Sequence, residues 1–185
     1  RPEPIRTLRP VSAMIRPAVV ADADAIARVH VRTWQAAYRG QLPNEFLAQL
    51  DRDLPRRADF WRAQVAKTGG PTRVFVADSD GAVVGFASVG PARDQADASL
   101  GEVYAIYLDP SRWSRGHGRA LFATAATALR DAGFTAAMLW VLATNARARR
   151  FYEAAGWRTD GSEKVVQQGG VELRETRYQV SLVAP

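Results

Sequence analysis

Residues 107–121, which read YLDPSRWSRGHGRAL, place two glycines at the junction of a predicted strand and a predicted helix. A helix N-terminus exposes backbone N–H groups and the positive end of the helix dipole. Gly116 and Gly118 allow that backbone to approach an anion closely. Three arginines add positive charge nearby: Arg112, Arg115 and Arg119. The segment predicts a cradle for a pyrophosphate group. It is neither a P-loop, whose lysine is missing, nor a full dinucleotide fingerprint, whose third glycine would fall at Leu121.

Two side chains near this cradle could move protons. Glu102 lies on a strand that leads into the cradle, which makes its carboxylate a candidate general base. Asn145 and Tyr152 are nearly two helical turns apart and share one helix face, from which the phenol could donate a proton to a leaving group. Each has a structural alternative, an ion-paired strand residue for Glu102 and a core aromatic for Tyr152. Strand alternation predicts two faces, one with Glu102, Tyr104 and Ile106 and the other with Val103, Ala105 and Tyr107.

Composition removes several other chemistries. The 185 residues include no cysteine, which excludes disulfides, thiolate metal sites and an acyl-cysteine intermediate. The two histidines, His30 and His117, are far apart in sequence, so we expect no metal site. No apolar run reaches the roughly 18 residues of a membrane span and no signal-peptide pattern is visible, so we expect a cytoplasmic protein without a membrane partner.

The net charge of +6 consists mainly of arginine, since only Lys67 and Lys164 are lysines. Such a balance is compatible with nucleic acid, a membrane surface or anionic small molecules. Coding composition also explains most of these arginines, because exposed charges usually only solvate a surface. A nucleic-acid binder therefore stays as an alternative that rests on charge alone.

The elements that must position these residues follow the order β-α-α-β-β-β-α-β-α-β-β. Residues 1–13 are interpreted as a flexible tail or cloning remnant, and residues 14–185 as a single domain. Strands are predicted at the start of the domain and over 73–78, 82–89, 102–108, 137–142, 157–166 and 171–183. Helices are predicted over about 22–40, 44–67 with a break near Pro55, 119–131 and 145–155. This order predicts an α/β (α+β) fold with a mixed sheet of about seven strands and about four flanking helices.

The motifs in combination resemble a known family. The stretch EVYAIYLDPSRWSRGHGRALF, followed by AMLWVLATN and NARARRFYEAAGW, resembles the GNAT superfamily of N-acetyltransferases, in a bacterial branch. Gly116 and Gly118 match the family's R/Q-x-x-G-x-G/A loop, and Asn145 to Trp157 match its N-x₆-Y-E-x-x-G-[FW] segment. Trp113 stands where the family usually has Arg or Gln, and Arg115 could supply the lost charge. The resemblance covers residues 14–183.

The resemblance implies transfer of an acetyl group from acetyl-CoA to an amine, by direct attack in a ternary complex. Glu102 would take the amine proton, directly or through water, and Tyr152 would protonate the departing thiolate. His117 would act through its backbone, with an incidental side chain. The implied acetyl-CoA contacts are Ile106, Tyr107, Leu108, Trp113, Ser114, Arg115, Gly116, His117, Gly118, Arg119, Asn145 and Tyr152.

The acceptor is less defined than the donor. The resemblance places it beside the first helices, with Trp34, Tyr38, Arg39 and Tyr104 as candidate contacts and Asp94 and Asp97 in a nearby loop. These acids favour a cationic primary amine of a small molecule or peptide. His30 is interpreted as a helix packing residue. A non-catalytic acyl-CoA sensor remains the alternative function, and a homodimer is compatible with the resemblance.

Overall fold

The computed structural model describes residues 13–67, 70–93 and 97–183, which form one seven-stranded sheet with helices on both faces. Residues 1–12 of the segment interpreted as a tail over 1–13, and the candidate Asp94, lie outside the described residues, whereas Ala13 is buried against the domain. The strands are β1 (Met14–Pro17), β2 (Arg73–Ser79), β3 (Ala82–Pro91), β4 (Leu100–Leu108), β5 (Ala136–Leu142), β6 (Arg158–Gln168) and β7 (Val171–Ser181). Their order is β1-β2-β3-β4-β5-β7-β6, and only β4 and β5 run parallel. The predicted mixed sheet is confirmed.

Five α-helices flank the sheet within the described ranges: α1 (Ala23–Ala37), α2 (Asn44–Arg52), α3 (Leu54–Ala66), α4 (His117–Asp131) and α5 (Ala146–Ala154). The second helical region, which was predicted to break near Pro55, separates at Asp53 into two helices, so five helices stand where about four were predicted. Pro55 lies in the first turn of α3, where its missing N–H breaks no helical hydrogen bond. Among these helices none has both the length and the apolar character of a membrane span.

Burial divides the helices between the two faces of the sheet. One face packs against α4 and α5 through residues such as Val103, Leu121, Leu139 and Tyr152. The opposite face packs against α1 and α3 around Ile26, Trp61, Val76 and Phe86. A third cluster joins α1 and α2 to the ends of β5 and β7, with Val31, Leu47, Leu142 and Leu173 at its centre. We call the first the α4 face and the second the α1 face.

A β-bulge in β4 decides which side chains reach each face. Ser88 of β3 pairs with Ala105 and Val89 pairs with Val103, so Tyr104 is an extra residue without a direct partner. Before the bulge Val103 packs on the α4 face, whereas after it Ala105 and Tyr107 pack on the α1 face. The predicted simple alternation was therefore wrong. Glu102, next to Val103, lies on the α1 face together with Tyr107.

Candidate active site

The sheet opens beside the bulge. β4 and β5 pair only from Leu100 to Glu102, opposite Ala136 to Met138, and no later pairing between them is found in the described residues. The backbone N–H of Asp109 donates a hydrogen bond to Val84 O of β3 at 2.8 Å. Because backbone groups alternate sides along a strand, the N–H and C=O groups of Ile106 and Leu108 point away from β3. They face the space between the two strands, which we call the β4–β5 gap.

The predicted cradle lies at the N-terminus of α4. The helix begins at His117, two residues earlier than predicted, with Gly116 as its N-cap at φ 85°. Ser114 is also left-handed, at φ 62°. No side chain caps the first turn of α4, so its N–H groups keep their hydrogen-bonding capacity. We call Ser114–Arg119 the anion cradle, because free N–H groups and the helix dipole together suit a phosphate oxygen.

His117 departs from its predicted role. Its side chain is buried at 5% exposure, and its Nδ1 accepts a hydrogen bond from the backbone N–H of Ala13 at 3.3 Å. The imidazole therefore ties the segment before β1 to the start of α4. The expectation of an incidental side chain was wrong, because the fold brings residues 104 positions apart into contact here.

Trp113 is held next to the anion cradle by a hydrogen bond and by a cation–π contact. Its indole N–H donates to Leu108 O at 2.9 Å, and the hydroxyl of Thr33 donates to the same oxygen at 3.1 Å. A carbonyl oxygen has two lone pairs, so this one is already satisfied. The Arg147 guanidinium lies over the Trp113 ring, 3.9 Å from its centroid. Of the predicted contacts on β4, the Leu108 N–H and both backbone groups of Ile106 are left for a ligand.

Asn145 and Tyr152 border the gap from α5. The side-chain oxygen of Asn145 caps the helix by accepting from Ala148 N–H at 3.1 Å, which leaves its amide NH₂ to donate elsewhere. Tyr152 is buried, and its ring packs against Phe122 and Phe151 with centroids 5.4 Å away. Burial raises the pKa of Tyr152 above its ordinary value of 10, and the neighbouring Tyr107 raises it further.

Tyr152 and Tyr107 come from opposite faces of the sheet. Tyr152 belongs to the α4 face and Tyr107 to the α1 face, yet the two phenols lie close enough to interact electrostatically. Tyr38, on α1, also interacts with Tyr152, although burial is the main cause of its raised pKa. Tyr107 lies on the part of β4 that is no longer paired with β5, beside the β4–β5 gap.

Glu102 is buried at 1% exposure and paired with Arg93. Its Oε1 accepts from the Arg93 Nη2 at 2.6 Å, and its Oε2 accepts from the Arg93 backbone N–H at 2.9 Å. The ion-paired alternative weighed for this residue is thus present in the structure. Each carboxylate oxygen can accept more than one hydrogen bond, so a water could still reach Glu102.

Sequence reasoning missed a second carboxylate on the α1 face. Glu175 of β7 pairs in register with Leu142 of β5, and its carboxylate lies 3.7 Å from Lys164 Nζ. Burial raises the pKa of Glu175 above 4.5, with Lys164 acting in the opposite direction. The available signal was strand alternation from Leu173, because both side chains share one face of β7. That signal needs the face of Leu173, which only the packing against α2 shows.

The predicted acceptor contacts fall into two groups. Trp34 and Tyr38 are half-buried on one face of α1, with ring centroids 4.9 Å apart. Arg39 is exposed just after α1. The hydroxyl of Tyr104 donates to Pro91 O at 2.6 Å, which directs this side chain to the end of β3. The structure therefore brings Trp34 and Tyr38 towards Tyr107, and it leaves the other two apart.

Asp97 is the remaining acidic candidate within the described residues. It accepts hydrogen bonds from the N–H and the hydroxyl of Ser99, at 2.8 and 2.6 Å. The hydrogen bonds from Ser99 lower the pKa of this carboxyl below 3.8. The side chain thus organises its own loop through bonds to a residue two positions away.

Comparison with known proteins decides the family. A model described as the Acetyltransferase (GNAT) family matches residues 31–157, which is more than half of the chain. The chain belongs to this family. The uncharacterized N-acetyltransferase YuaI of Bacillus subtilis is 39% identical over 132 residues, covering 71% of this chain and 72% of that protein.

Two further similarities differ in extent. A mycothiol acetyltransferase of Acidothermus cellulolyticus is 37% identical over 111 residues, covering 54% of this chain and 34% of that protein. The chain therefore spans about a third of that relative's length. The PaiA N-acetyltransferase of Thermoplasma acidophilum, solved in complex with coenzyme A, shares the fold with a TM-score of 0.74. This structural similarity has 17% sequence identity and covers 92% of this chain and 99% of that one.

The family match and the similarity to YuaI confirm the predicted family and the predicted acetyl-CoA-dependent N-acetyltransferase activity. The geometry of this GNAT chain fits its co-substrate. The β4–β5 gap contains unpaired backbone groups of Ile106, which can pair with amide groups, and the anion cradle has free N–H groups, which suit phosphate oxygens. Arg115 and Arg119 are exposed beside the cradle, without an ion pair in the part of the chain that the structure describes.

Proposed function

We propose that this acetyltransferase transfers the acetyl group to a primary amine of a small molecule or peptide, by direct attack in a ternary complex. The observation that carries the proposal is the β4–β5 gap, where β4 leaves β5 after Glu102 and the backbone groups of Ile106 stay unpaired. A donor held along Ile106 on one side and an amine held beside Tyr38 on the other would meet there. The chain has no cysteine to carry the acetyl group, so the amine must attack directly.

Tyr152 is the proposed proton donor to the departing thiolate. A phenol whose pKa is raised by burial stays protonated at neutral pH and can donate a hydrogen bond or a proton. No hydrogen bond of this hydroxyl is found among the described residues, so no protein acceptor competes for its proton. Asn145 would hold the co-substrate at the other end of the same helix with its free amide NH₂.

Glu102 is the proposed base, acting through a water, because Arg93 occupies the direct approach to both carboxylate oxygens. Its ion pair with Arg93 fixes the position of this buried carboxylate. Glu175 is the second candidate base on the same face. Its raised pKa brings it closer to the working pH of a general base.

The test is release of the CoA thiol, measured with a disulfide reagent, against a panel of small amines, peptides and amino sugars. We expect turnover that depends on the acceptor and that shows intersecting initial-rate lines in both substrates, as a ternary complex requires. Tight acetyl-CoA binding without turnover for any acceptor would instead support the sensor alternative. A salt-dependent shift of labelled DNA at physiological ionic strength would support the nucleic-acid alternative. Cytoplasmic location and a homodimer remain predictions.

A further inference from the structure

Arg57 of α3 stands apart from the neighbouring arginines because it has no carboxylate partner. Arg56 lies 3.8 Å from Asp53, and Arg62 pairs with Asp24 at 3.2 Å. Arg57 is half-buried, and no ion pair to its guanidinium is found among the described residues. A half-buried positive charge without a paired carboxylate is costly, and burial lowers the pKa of Arg57 more than Tyr107 and Asp53 raise it.

Arg57 lies in a cluster of rings. Its Nη1 is 3.2 Å from His30 Nε2, and its Cζ lies 5.8 Å from the centroid of Trp34. His30 stacks on Tyr107 with centroids 5.0 Å apart, and the indole N–H of Trp61 donates to His30 Nδ1 at 3.2 Å. We call these five residues the arginine–aromatic cluster. They join α1 and α3 on the α1 face, and Tyr107 connects them to the β4–β5 gap.

Donors outnumber acceptors in this cluster. Burial lowers the pKa of His30 to about 3, so the ring is neutral and has a single acceptor nitrogen. If Nε2 carries the proton, it faces the Arg57 Nη1, which is also a donor. If Nδ1 carries it, the Trp61 N–H faces a donor instead. Arg57 Nε is closed to water and has no partner in the described residues. Trp34 Nε1 is also closed to water, and it lies near the Tyr107 hydroxyl without forming a well-aligned hydrogen bond.

The arrangement lacks one acidic acceptor. Because His30 is neutral, Arg57 is the cluster's only positive charge, which matches a monoanion. A carboxylate accepts charge-assisted hydrogen bonds from a guanidinium. An anion would meet the Nη2 end of Arg57, because Nη1 lies beside His30 and Nε is closed to water, while Trp34 and Tyr107 provide apolar walls.

The cluster and the proposed reaction centre are joined by α1. His30, Trp34 and Tyr38 are spaced by four residues and therefore line one helix face. From His30 to Tyr38 the helix rises about 12 Å. A small molecule could therefore contact Arg57 at one end and Tyr107 at the other. The Tyr107 phenol interacts electrostatically with Tyr152.

We propose that Arg57 binds a carboxylate of the acceptor, so that the acceptor is an amine that also carries a carboxylate group, such as an amino acid or a similar compound. The proposal rests on the proposed function and narrows its substrate class. It also assigns the surplus donors of the cluster to substrate recognition. His30 then positions the guanidinium, and it does not take part in proton transfer.

The experiment compares acceptors in pairs that differ only at the carboxylate. Each amino acid is tested beside its carboxamide and beside the corresponding aminophosphonate, with acetyl-CoA saturating. In the wild type we expect kcat/KM for the acid to exceed that for the amide by about 10- to 100-fold, as a charge-assisted hydrogen bond allows. The amide has the more readily deprotonated amine, so this comparison is biased against the expected result.

Two variants test whether Arg57 causes the preference for the acid over the amide. Arg57→Gln should abolish the preference through KM, with kcat at saturation nearly unchanged, and Arg57→Lys should keep part of it because the charge remains without the fork. Arg56→Gln is the matched control, since it removes the same charge from an adjacent residue whose side chain is 85% exposed. Thermal unfolding shows whether each variant is folded.

A second readout separates this proposal from the proposed function. Trp34 and Trp61 belong to the cluster, so quenching of tryptophan fluorescence by the amino acid reports binding without turnover. Quenching that is lost in Arg57→Gln, in a protein that releases no thiol, would uphold the carboxylate site and overturn the proposed activity. The carboxylate site is overturned if the amide is used as well as the acid, if the aminophosphonate is preferred, or if Arg57→Gln keeps the wild-type ratio.

Discussion

Replacing Tyr152 with phenylalanine removes a single hydroxyl from the centre of the proposed mechanism. The ring would keep its contacts with Phe122, Phe151 and Tyr178, whose centroids lie 5.4, 5.4 and 6.2 Å away. Within the described residues the hydroxyl makes no hydrogen bond that the change would break. We therefore expect the free energy of unfolding to change by less than about 1 kcal/mol. Any larger effect on activity then reports chemistry.

The expected loss follows from the role of Tyr152 as a proton donor. A positioned general acid contributes about 10²- to 10⁴-fold to the rate, so kcat should fall at least about 100-fold. This corresponds to about 2.7 kcal/mol in the activation free energy. Acetyl-CoA affinity should be nearly unchanged, because the anion cradle and the backbone of Ile106 are untouched. Since burial raises the pKa of Tyr152 above 10, the wild type should keep its donor at pH 9.

The assay is thiol release for kcat, calorimetry for acetyl-CoA affinity and urea unfolding for stability. Tyr178→Phe is the matched control from the same core. Its hydroxyl donates to Glu153 at 2.6 Å and accepts from Arg149 Nε at 3.1 Å, so its loss should cost about 1–3 kcal/mol of stability and leave kcat unchanged. If Tyr152→Phe keeps kcat within threefold of the wild type, Tyr152 is not the proton donor.

Two further predictions concern carboxylates. Glu175→Gln should remove the acid limb of the pH profile of kcat/KM, which lies above pH 4.5 because burial raises the pKa of Glu175. Glu102→Gln should lower kcat without moving that limb. If the limb does not move in Glu175→Gln, Glu102 is the base. The hydrogen bond from Arg16 at 2.7 Å lowers the pKa of Asp22 below 3.8, so this carboxylate stabilises the fold fully above that pH and loses its contribution as the pH falls through the lowered value. Urea unfolding of Asp22→Asn should show a loss of about 1–3 kcal/mol at pH 7 that shrinks below pH 3.8, and a loss independent of pH would contradict the assignment.

Local features of this chain follow from its sequence because they depend on neighbouring residues. Asp80 and Gly81 join β2 and β3 with φ values of 55° and 81°, the two positive angles that an Asp-Gly hairpin turn requires. Pro55 ends one helical region and begins the next. Gly116 takes the left-handed conformation that opens the cradle. Steric rules over a few residues decide each of these, and together they carried the family resemblance.

The tertiary structure decided what depends on distant partners. The bulge at Tyr104 exists only in the pairing of β4 with β3, and it moves Glu102 to the same face as Tyr107. The burial of His117 depends on Ala13, and the isolation of Arg57 depends on which carboxylates α3 does not meet. The chemistry of each side chain follows from the sequence, whereas strand register and burial are decided only when separate segments pack together. The placement of Glu102 on the face of Tyr107 and the lack of an ion pair at Arg57 in the described residues therefore came from the fold.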